Sequence, residues 1–554
     1  MKALICAINS KFIHSSLAVW CLAGGIEEFA PTVKYNVLEG TINENKEDII
    51  EKILSYEFDI IGISVYIWNK SLAFGIAEEI KKKTGAYVVL GGPEVSYNVT
   101  QIFEECPSVD AIISGEGEEA FARLCQGEDP SLIEGVSYKK CGQVVEKPTF
   151  VSAKDPPTPY VKRYFEALNG RIAYIETSRG CPFKCAFCLS GRCGGVRFFD
   201  LEKAKKNIVL LANSGTQTVK FIDRTFNADR KRAREIFQFI IDNYQVTIPR
   251  GVRFHFEIEG ELLDDETISV LSKAPIGLFQ FEIGLQSFNE KTLNFINRKT
   301  NLELLQKNIE KVISLKNIHV HIDLIVGLPY EDYNSFASSF NQAYKLKPHM
   351  LQIGFLKLLH GAEMRENKEK YKTEFTDTPP YEIVSNQWIG EEELKMLHSF
   401  EDAFERLYNS GRFPRTCVYL NGLFDDTFSM IEGFSKYVEA QRAKLTLDNF
   451  TSHILDYFSS IKCCDKSVLR DCLAQDRLST NKMGYLPDFL KIHSPEIKRC
   501  LNELEKQEST KRRKGVKRAC TILPSENKIA YVDYDTPHPV TGCYEIKYIP
   551  ISIK

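Results

Sequence analysis

Glu176-Thr-Ser-Arg-Gly-Cys181-Pro-Phe-Lys-Cys185-Ala-Phe-Cys188 is the stretch on which the reading of this chain turns. It ends a short apolar run, Ile172–Glu176, that reads as a buried strand. Its three cysteines stand in C-x3-C-x2-C spacing on one loop. Thiolates so placed can each ligate one iron of a [4Fe–4S] cube and leave the fourth iron open to an outside ligand. A zinc site completed by Cys193 is the competing reading, but structural zinc ordinarily takes two separated Cys/His pairs, and that pattern is not what stands here. Of the 16 cysteines, Cys6, Cys21, Cys125 and Cys417 sit singly among apolar residues, as small buried hydrophobes do. Cys463, Cys464, Cys472 and Cys500 have irregular spacing and read as core or incidental.

Working outward, strand-like runs recur between helical segments at Thr218–Ile222, Val252–Glu257, Phe279–Gly284, His319–Val326 and Met350–Leu356. With Ile172–Glu176 they predict six parallel strands of a partial or full (β/α) barrel. Upstream, Ala3–Ile8, Lys34–Leu38, Asp59–Val65, Tyr87–Leu90 and Ala111–Ser114 predict a second parallel sheet with helices on its faces. Three of those strands end in the turns Ser64–Tyr66, Gly91–Glu94 and Gly115–Glu118, where such sheets bind ligands. Pro148, Pro156, Pro157 and Pro159 mark an extended linker. Beyond Lys370 long amphipathic helices such as Gly390–Tyr408 take over, with a strand pair near Lys528–Asp533 and Tyr544–Pro550. The expected division is 1–140, a linker over 141–165, a barrel over 166–365 and a mostly helical region over 366–554.

Lys and Arg total 71 against 74 Asp and Glu, a net charge of −3, so no global field draws the chain to nucleic acid or membrane. No apolar run reaches the ~18 residues of a membrane helix. The first residues are too polar for a signal peptide, and unpaired thiols suit a cytoplasmic setting. The basic run Lys511–Lys514, with Lys517 and Arg518, reads as solvated surface, with contact to a phosphate-bearing substrate, even RNA, as the alternative.

The chain resembles radical S-adenosylmethionine (SAM) enzymes that carry an N-terminal cobalamin-binding domain. Beyond the cysteines, Phe281-Glu-Ile-Gly-Leu-Gln-Ser-Phe288, with Arg298 twelve residues after Gln286, is similar to a stretch of oxygen-independent coproporphyrinogen dehydrogenase and its relatives. Phe254-His-Phe-Glu-Ile258 resembles the strand whose acidic residue grips the SAM amino group; Glu257 fits the strand pattern and Glu259 the spacing. Asp323-Leu-Ile-Val-Gly-Leu-Pro329 resembles a turn whose glycine, here Gly327, lets backbone approach the adenine. The resemblance implies Cys181, Cys185 and Cys188 as cluster ligands and Phe187, Glu257, Gln286, Ser287, Arg298 and Gly327 as SAM contacts. It also implies a flavodoxin-like first domain. Of that domain's D-x-H-x-x-G, S-x-L, G-G fingerprint, Ser64-Val-Tyr66 and Gly91-Gly92 are present, and Ser64, Gly91 and Gly92 leave room for the nucleotide tail of cobalamin. His14 lacks the flanking Asp and Gly, so it reads as an ordinary loop histidine rather than a cobalt ligand. Asp223, at the end of the second barrel strand, reads as a site residue or as a helix cap.

What the resemblance implies is reductive cleavage of SAM by a [4Fe–4S] cluster, with cobalamin-dependent methylation of an unactivated centre in a small molecule or peptide. An external electron donor such as flavodoxin or ferredoxin is implied as partner. Radical rearrangement or cyclisation without methyl transfer is the alternative chemistry, and a non-catalytic cobalamin- or metal-responsive binding protein the alternative class.

Overall fold

The computed structural model describes residues 1–551 apart from 193, 442, 443, 483, 496, 498 and 500–516. Cys193, Cys500 and the basic run Lys511–Lys514 therefore lie outside the described residues.

Seven of the eight residues of β1 (Lys2–Asn9) are buried, as a strand covered on both faces requires. It pairs in parallel with β2 (Lys34–Thr41) and β3 (Ile60–Ser64), and β4 (Tyr87–Gly91) and β5 (Ala111–Ile113) extend the sheet. The order β2-β1-β3-β4-β5 is the flavodoxin-like one. The sheet then continues where a linker was expected. Val136–Lys140 (β6) and Gln143–Val145 (β7) form an antiparallel hairpin that pairs on to β5, so the first domain extends beyond residue 140. Its turn is Cys141-Gly142, with φ of 50° and 80°, the signs a two-residue hairpin loop demands.

The second sheet is all parallel. It runs β8 (Ala173–Ile175), then β11 (Thr218–Phe221), β12 (Arg253–Ile258), β13 (Phe279–Gln286), β14 (His319–Val326) and β15 (Met350–Phe355) in spatial order, which makes it a partial barrel. Between β8 and β11, β9 (Ser178–Cys181) and β10 (Gly195–Phe198) form a separate antiparallel ribbon. Strands β12 to β14 alternate strictly. Phe254, Phe256, Phe279, Phe281, Val320 and Ile322 face outward into the core, while His255, Glu257, Gln280, Glu282, His321 and Asp323 share the half-buried inner face.

The mostly helical region expected after the barrel packs on the barrel's flank. Helix Glu391–Phe404 sets Phe400 edge-to-face against Phe340 of helix Tyr333–Lys345, at 5.0 Å between ring centres. Asn409 donates to and accepts from the backbone of Leu351 at 2.8 and 2.9 Å, satisfying the edge strand β15, beyond which no further strand pairs among the described residues. A ribbon, β16 (Thr373–Phe375) with β17 (Ile383–Asn386), leads into the helices. The expected terminal strand pair, β19 (Lys528–Asp533) and β20 (Ile546–Pro550), is joined by β18 (Arg518–Leu523). That strand was hidden by its basic start, and the buried Arg518 side chain is neutralised by Asp533 at 2.6 and 3.0 Å rather than solvated. Cys463 is exposed, so it is not core. Among the described residues no helix is long and apolar enough to cross a membrane.

Candidate functional site

The cysteine loop hangs from the carboxyl end of β8. Asp223, one of the most buried carboxylates, accepts from the Thr177 amide (3.1 Å), the Thr177 hydroxyl (2.7 Å) and the Ser178 hydroxyl (2.6 Å). It therefore fixes the start of β9 and caps no helix. Cys181 ends β9, with its Sγ 3.3 Å from the Thr225 hydroxyl. Ala186, between the next two cysteines, donates to the Ile296 carbonyl at 2.8 Å and accepts from Met364 at 3.0 Å. The loop is thus pinned at both ends before any metal is added. Burial pushes the Cys185 thiol up, and Arg298 beside it pulls the other way. A cube places each thiolate on its own iron, and three thiols in this spacing on one pinned loop are the donor set it takes.

Beside the loop lies a buried ion pair. Arg298 Nη2 donates to Glu259 Oε2 at 2.8 Å, Nη1 reaches Cys185 Sγ at 3.8 Å, and the Gly284 carbonyl accepts a further bond. Arg298 Nε and Glu259 Oε1 are buried with no partner. An amino-acid zwitterion supplies the two complementary charges that these atoms lack, so the residues fit the methionine end of SAM. Burial raises the Glu259 pKa and Arg298 opposes it; the Arg298 pKa rises because Glu259 and Cys185 outweigh its burial. Of the two glutamates, Glu259 is the one paired with Arg298, whereas Glu257 stands on the inner face 3.7 Å from Lys220.

Gln286 adopts φ 72° at a bulge, and its amide lies so close to Gly284 that a Cβ there would meet Nε2 at 2.2 Å. Two other expected contacts need correcting. The fully buried Ser287 hydroxyl donates to Glu331 at 2.6 Å and accepts from the Asn289 amide at 2.9 Å, so it ties the end of β13 to the turn after β14 rather than facing a ligand. The space beside Gly327 is filled by Ile383, 2.7 Å from where a Cβ would stand, and its carbonyl accepts from Asn386 at 2.9 Å. That glycine makes room for β17. Phe187 is partly buried against the main core.

A cavity of about 630 Å3 opens at the carboxyl ends of β1, β3, β4 and β5. Ser64, Gly91 and Gly92 line it together with His14, Tyr66 and Trp68 from the first domain and Tyr174, Glu176, Arg179 and Ile222 from the barrel. Gly92 has φ 111°, and a Cβ would meet the Val65 carbonyl at 2.5 Å, so only glycine lets these turns approach. Tyr66 and Trp68 stack at 4.5 Å, offering a flat aromatic wall. Small residues at strand ends beside such a wall suit a large planar ligand with a long tail. His14 is bonded through Nδ1 to the Tyr174 hydroxyl at 2.6 Å, and its burial keeps its pKa low.

The inner face of the barrel was missed. Glu282 is bonded to His255 at 2.9 Å and Lys220 at 3.2 Å, and His321 lies 2.9 Å from Asp323. The alternation in Arg253–Ile258, Phe279–Gly284 and His319–Val326 carried that signal, since polar residues recur at every second position.

Three family descriptions match the chain: B12 binding domain over residues 3–125, Radical SAM superfamily over 175–343, and protein of unknown function (DUF4080) over 369–534. The chain is 27% identical over 403 residues to the cobalamin-dependent radical SAM methyltransferase TokK of Streptomyces tokunonensis, covering 68% of this chain and 56% of TokK. It is 26% identical over 335 residues to the anaerobic magnesium-protoporphyrin IX monomethyl ester cyclase of Rubrivivax gelatinosus, covering 56% and 59%. The match thus spans little more than half the length of these relatives. The fold is similar to that of the cobalamin-dependent SAM radical enzyme OxsB, with TM-score 0.63 and 15% identity over 92% of this chain and 80% of OxsB. The chain thus carries a region of the radical SAM superfamily over its barrel, after a region that matches the B12 binding domain and before one that matches DUF4080.

Proposed function

We propose that this chain is a cobalamin-dependent radical SAM enzyme that methylates an unactivated centre of its substrate. The observation that carries the reading is the Arg298–Glu259 pair beside Cys185, with one buried polar atom of each left open. In this reading Cys181, Cys185 and Cys188 hold the [4Fe–4S] cluster, Arg298 pairs the SAM carboxylate and Glu259 its ammonium. Gln286 and Phe187 border the same ligand, and Ser64, Gly91 and Gly92 make room for the cobalamin tail. When bound, these cofactors supply reductive cleavage of SAM and carriage of the methyl group.

The protein's part is position and exclusion. Asp223 and Ala186 hold the thiol loop still, and the buried Arg298–Glu259 pair lies against Cys185. The cavity is lined by both Tyr174 of the barrel and the strand ends of the first domain, so its ligand faces the barrel interior. A cytoplasmic setting and an external donor such as flavodoxin or ferredoxin complete the proposal. The likeness to the Rubrivivax cyclase favours a second reading, ring closure without methyl transfer. Products separate the two. Anaerobic turnover of SAM with a dithionite-reduced, cobalamin-loaded enzyme yields both 5′-deoxyadenosine and S-adenosylhomocysteine if methylation is correct. 5′-Deoxyadenosine alone supports ring closure, and neither product in the presence of an intact cluster contradicts both.

A further inference from the structure

Arg179 stands two residues before Cys181 on β9, and its side chain is largely buried. Nε donates to both oxygens of Glu176 at 3.0 Å, Nη1 to Glu116 at 2.7 Å and Nη2 to Glu118 at 2.6 Å. Glu116 also accepts from Arg197 at 2.9 Å, and Arg197 is the partner of Arg179 across the ribbon. Both strands of the cysteine-bearing ribbon are therefore gripped by one loop of the first domain, the turn after β5. That loop is itself fixed, because the Glu116 amide donates to the Phe150 carbonyl at 3.0 Å and Gly115 lies against the same carbonyl.

Glu116, Gly117, Glu118, Glu176 and Arg179 all line the first-domain cavity. Burying three carboxylates around one guanidinium is a costly way to join two domains, since desolvation cancels much of the attraction. Its distinctive property is geometric: a planar fork with every arm engaged defines one orientation and passes a shift of any arm to the rest. Two residues along an extended strand, that shift reaches Cys181.

We propose that Arg179 is a positioning residue through which the filling of the first-domain cavity is felt at the thiolate of Cys181. The inference rests on the reading that the ribbon carries the cluster and the cavity takes cobalamin. A ligand entering the cavity meets Glu116 and Glu118, moves the fork and alters the iron environment on the far side of the domain boundary. Arg171 makes a different link between the domains, bonded to Glu39 at 3.0 and 3.1 Å, and does not touch the ribbon.

The test uses the full chain, reconstituted anaerobically with isotopically labelled iron and sulfide, with and without hydroxocobalamin. Iron and cobalt are counted, and the Mössbauer spectrum of the oxidised cluster is recorded. In the wild type, adding hydroxocobalamin shifts the quadrupole splitting. Arg179→Lys keeps the charge but not the fork, and Glu118→Gln removes one arm; both retain iron and cobalt and lose most of the shift. Arg171→Lys keeps it. A shift that survives in both Arg179→Lys and Glu118→Gln overturns the proposal, as does a shift lost equally in Arg171→Lys. Wild-type protein with both metals and no shift overturns this proposal alone, whereas protein that takes up no cobalt overturns the cobalamin reading with it.

Discussion

The two ligand regions of this molecule are built on opposite principles. The cluster end of the barrel is made of charged and thiol side chains at fixed spacing, each held by named bonds: Asp223 on Thr177 and Ser178, Arg298 on Glu259, Ala186 between Ile296 and Met364. The first-domain cavity is made of strand ends, glycines and two stacked rings, and most of what it offers a ligand is shape. Coordination and ion pairing demand particular atoms, so they constrain residue type and spacing. A large planar ligand demands space, which many sequences can leave. The two regions should accordingly fail differently when mutated.

The largest effect expected is at the thiols. Replacing Cys181, Cys185 or Cys188 with Ala lowers iron from about four per chain to a small residue and abolishes 5′-deoxyadenosine formation, while cobalamin uptake persists. Iron and cobalt analysis of the same samples checks both halves. Next comes Arg298→Gln. Losing a charged hydrogen bond worth ~1.5–3 kcal/mol raises KM for SAM about 10–100-fold with the cluster retained. Steady-state kinetics in SAM reads it, and an unchanged KM breaks the assignment.

In the cavity, Gly92→Ala places a Cβ against the Val65 carbonyl at 2.5 Å in a backbone conformation of φ 111°. Cobalt retained through gel filtration falls severalfold, and iron does not change. If iron falls as well, the two regions are less separable than the geometry says.

The smallest effect concerns acid stability of the barrel interior. Burial works against the Glu282 charge, but the His255 hydrogen bond and the Lys220 charge outweigh it and bring the pKa to about 2. Because that lies below the unfolded value of about 4.3, the charged form stabilises the fold fully above that value, and the contribution is lost as the pH falls toward 2. Thermal unfolding of Glu282→Gln between pH 5 and pH 3 should show a shallower acid decline than the wild type. Parallel declines would place the pair outside the folding equilibrium.

The same contrast decides what could be read in advance. The six barrel strands are legible because short strand-like runs recur between helical segments. The thiol loop stands out by its spacing, and Arg298 is implied by the resemblance of Phe281–Phe288 and the offset that follows it. Glu257 fits the strand pattern, whereas the pairing of Glu259 depends on Arg298, which arrives from beyond the helix after β13, a contact of long sequence separation. Ser287 belongs to a recognisable motif yet points into a buried network with Glu331, a direction that depends on the bulge at Gly284 and Gln286. The hairpin β6–β7 is hidden in a polar run of short strands, and the role of Arg179 is hidden because two of its three partners lie about sixty residues upstream in another domain.

The account's central claim is that one chain holds two cofactors in two separable places. It is tested most directly by counting iron and cobalt per chain after anaerobic reconstitution with iron, sulfide and hydroxocobalamin, in the wild type and in Cys185→Ala. The account predicts about four irons and about one cobalt in the wild type, and in Cys185→Ala little iron with the cobalt retained. Iron without cobalt in the wild type, or cobalt that disappears with the cluster, would contradict it.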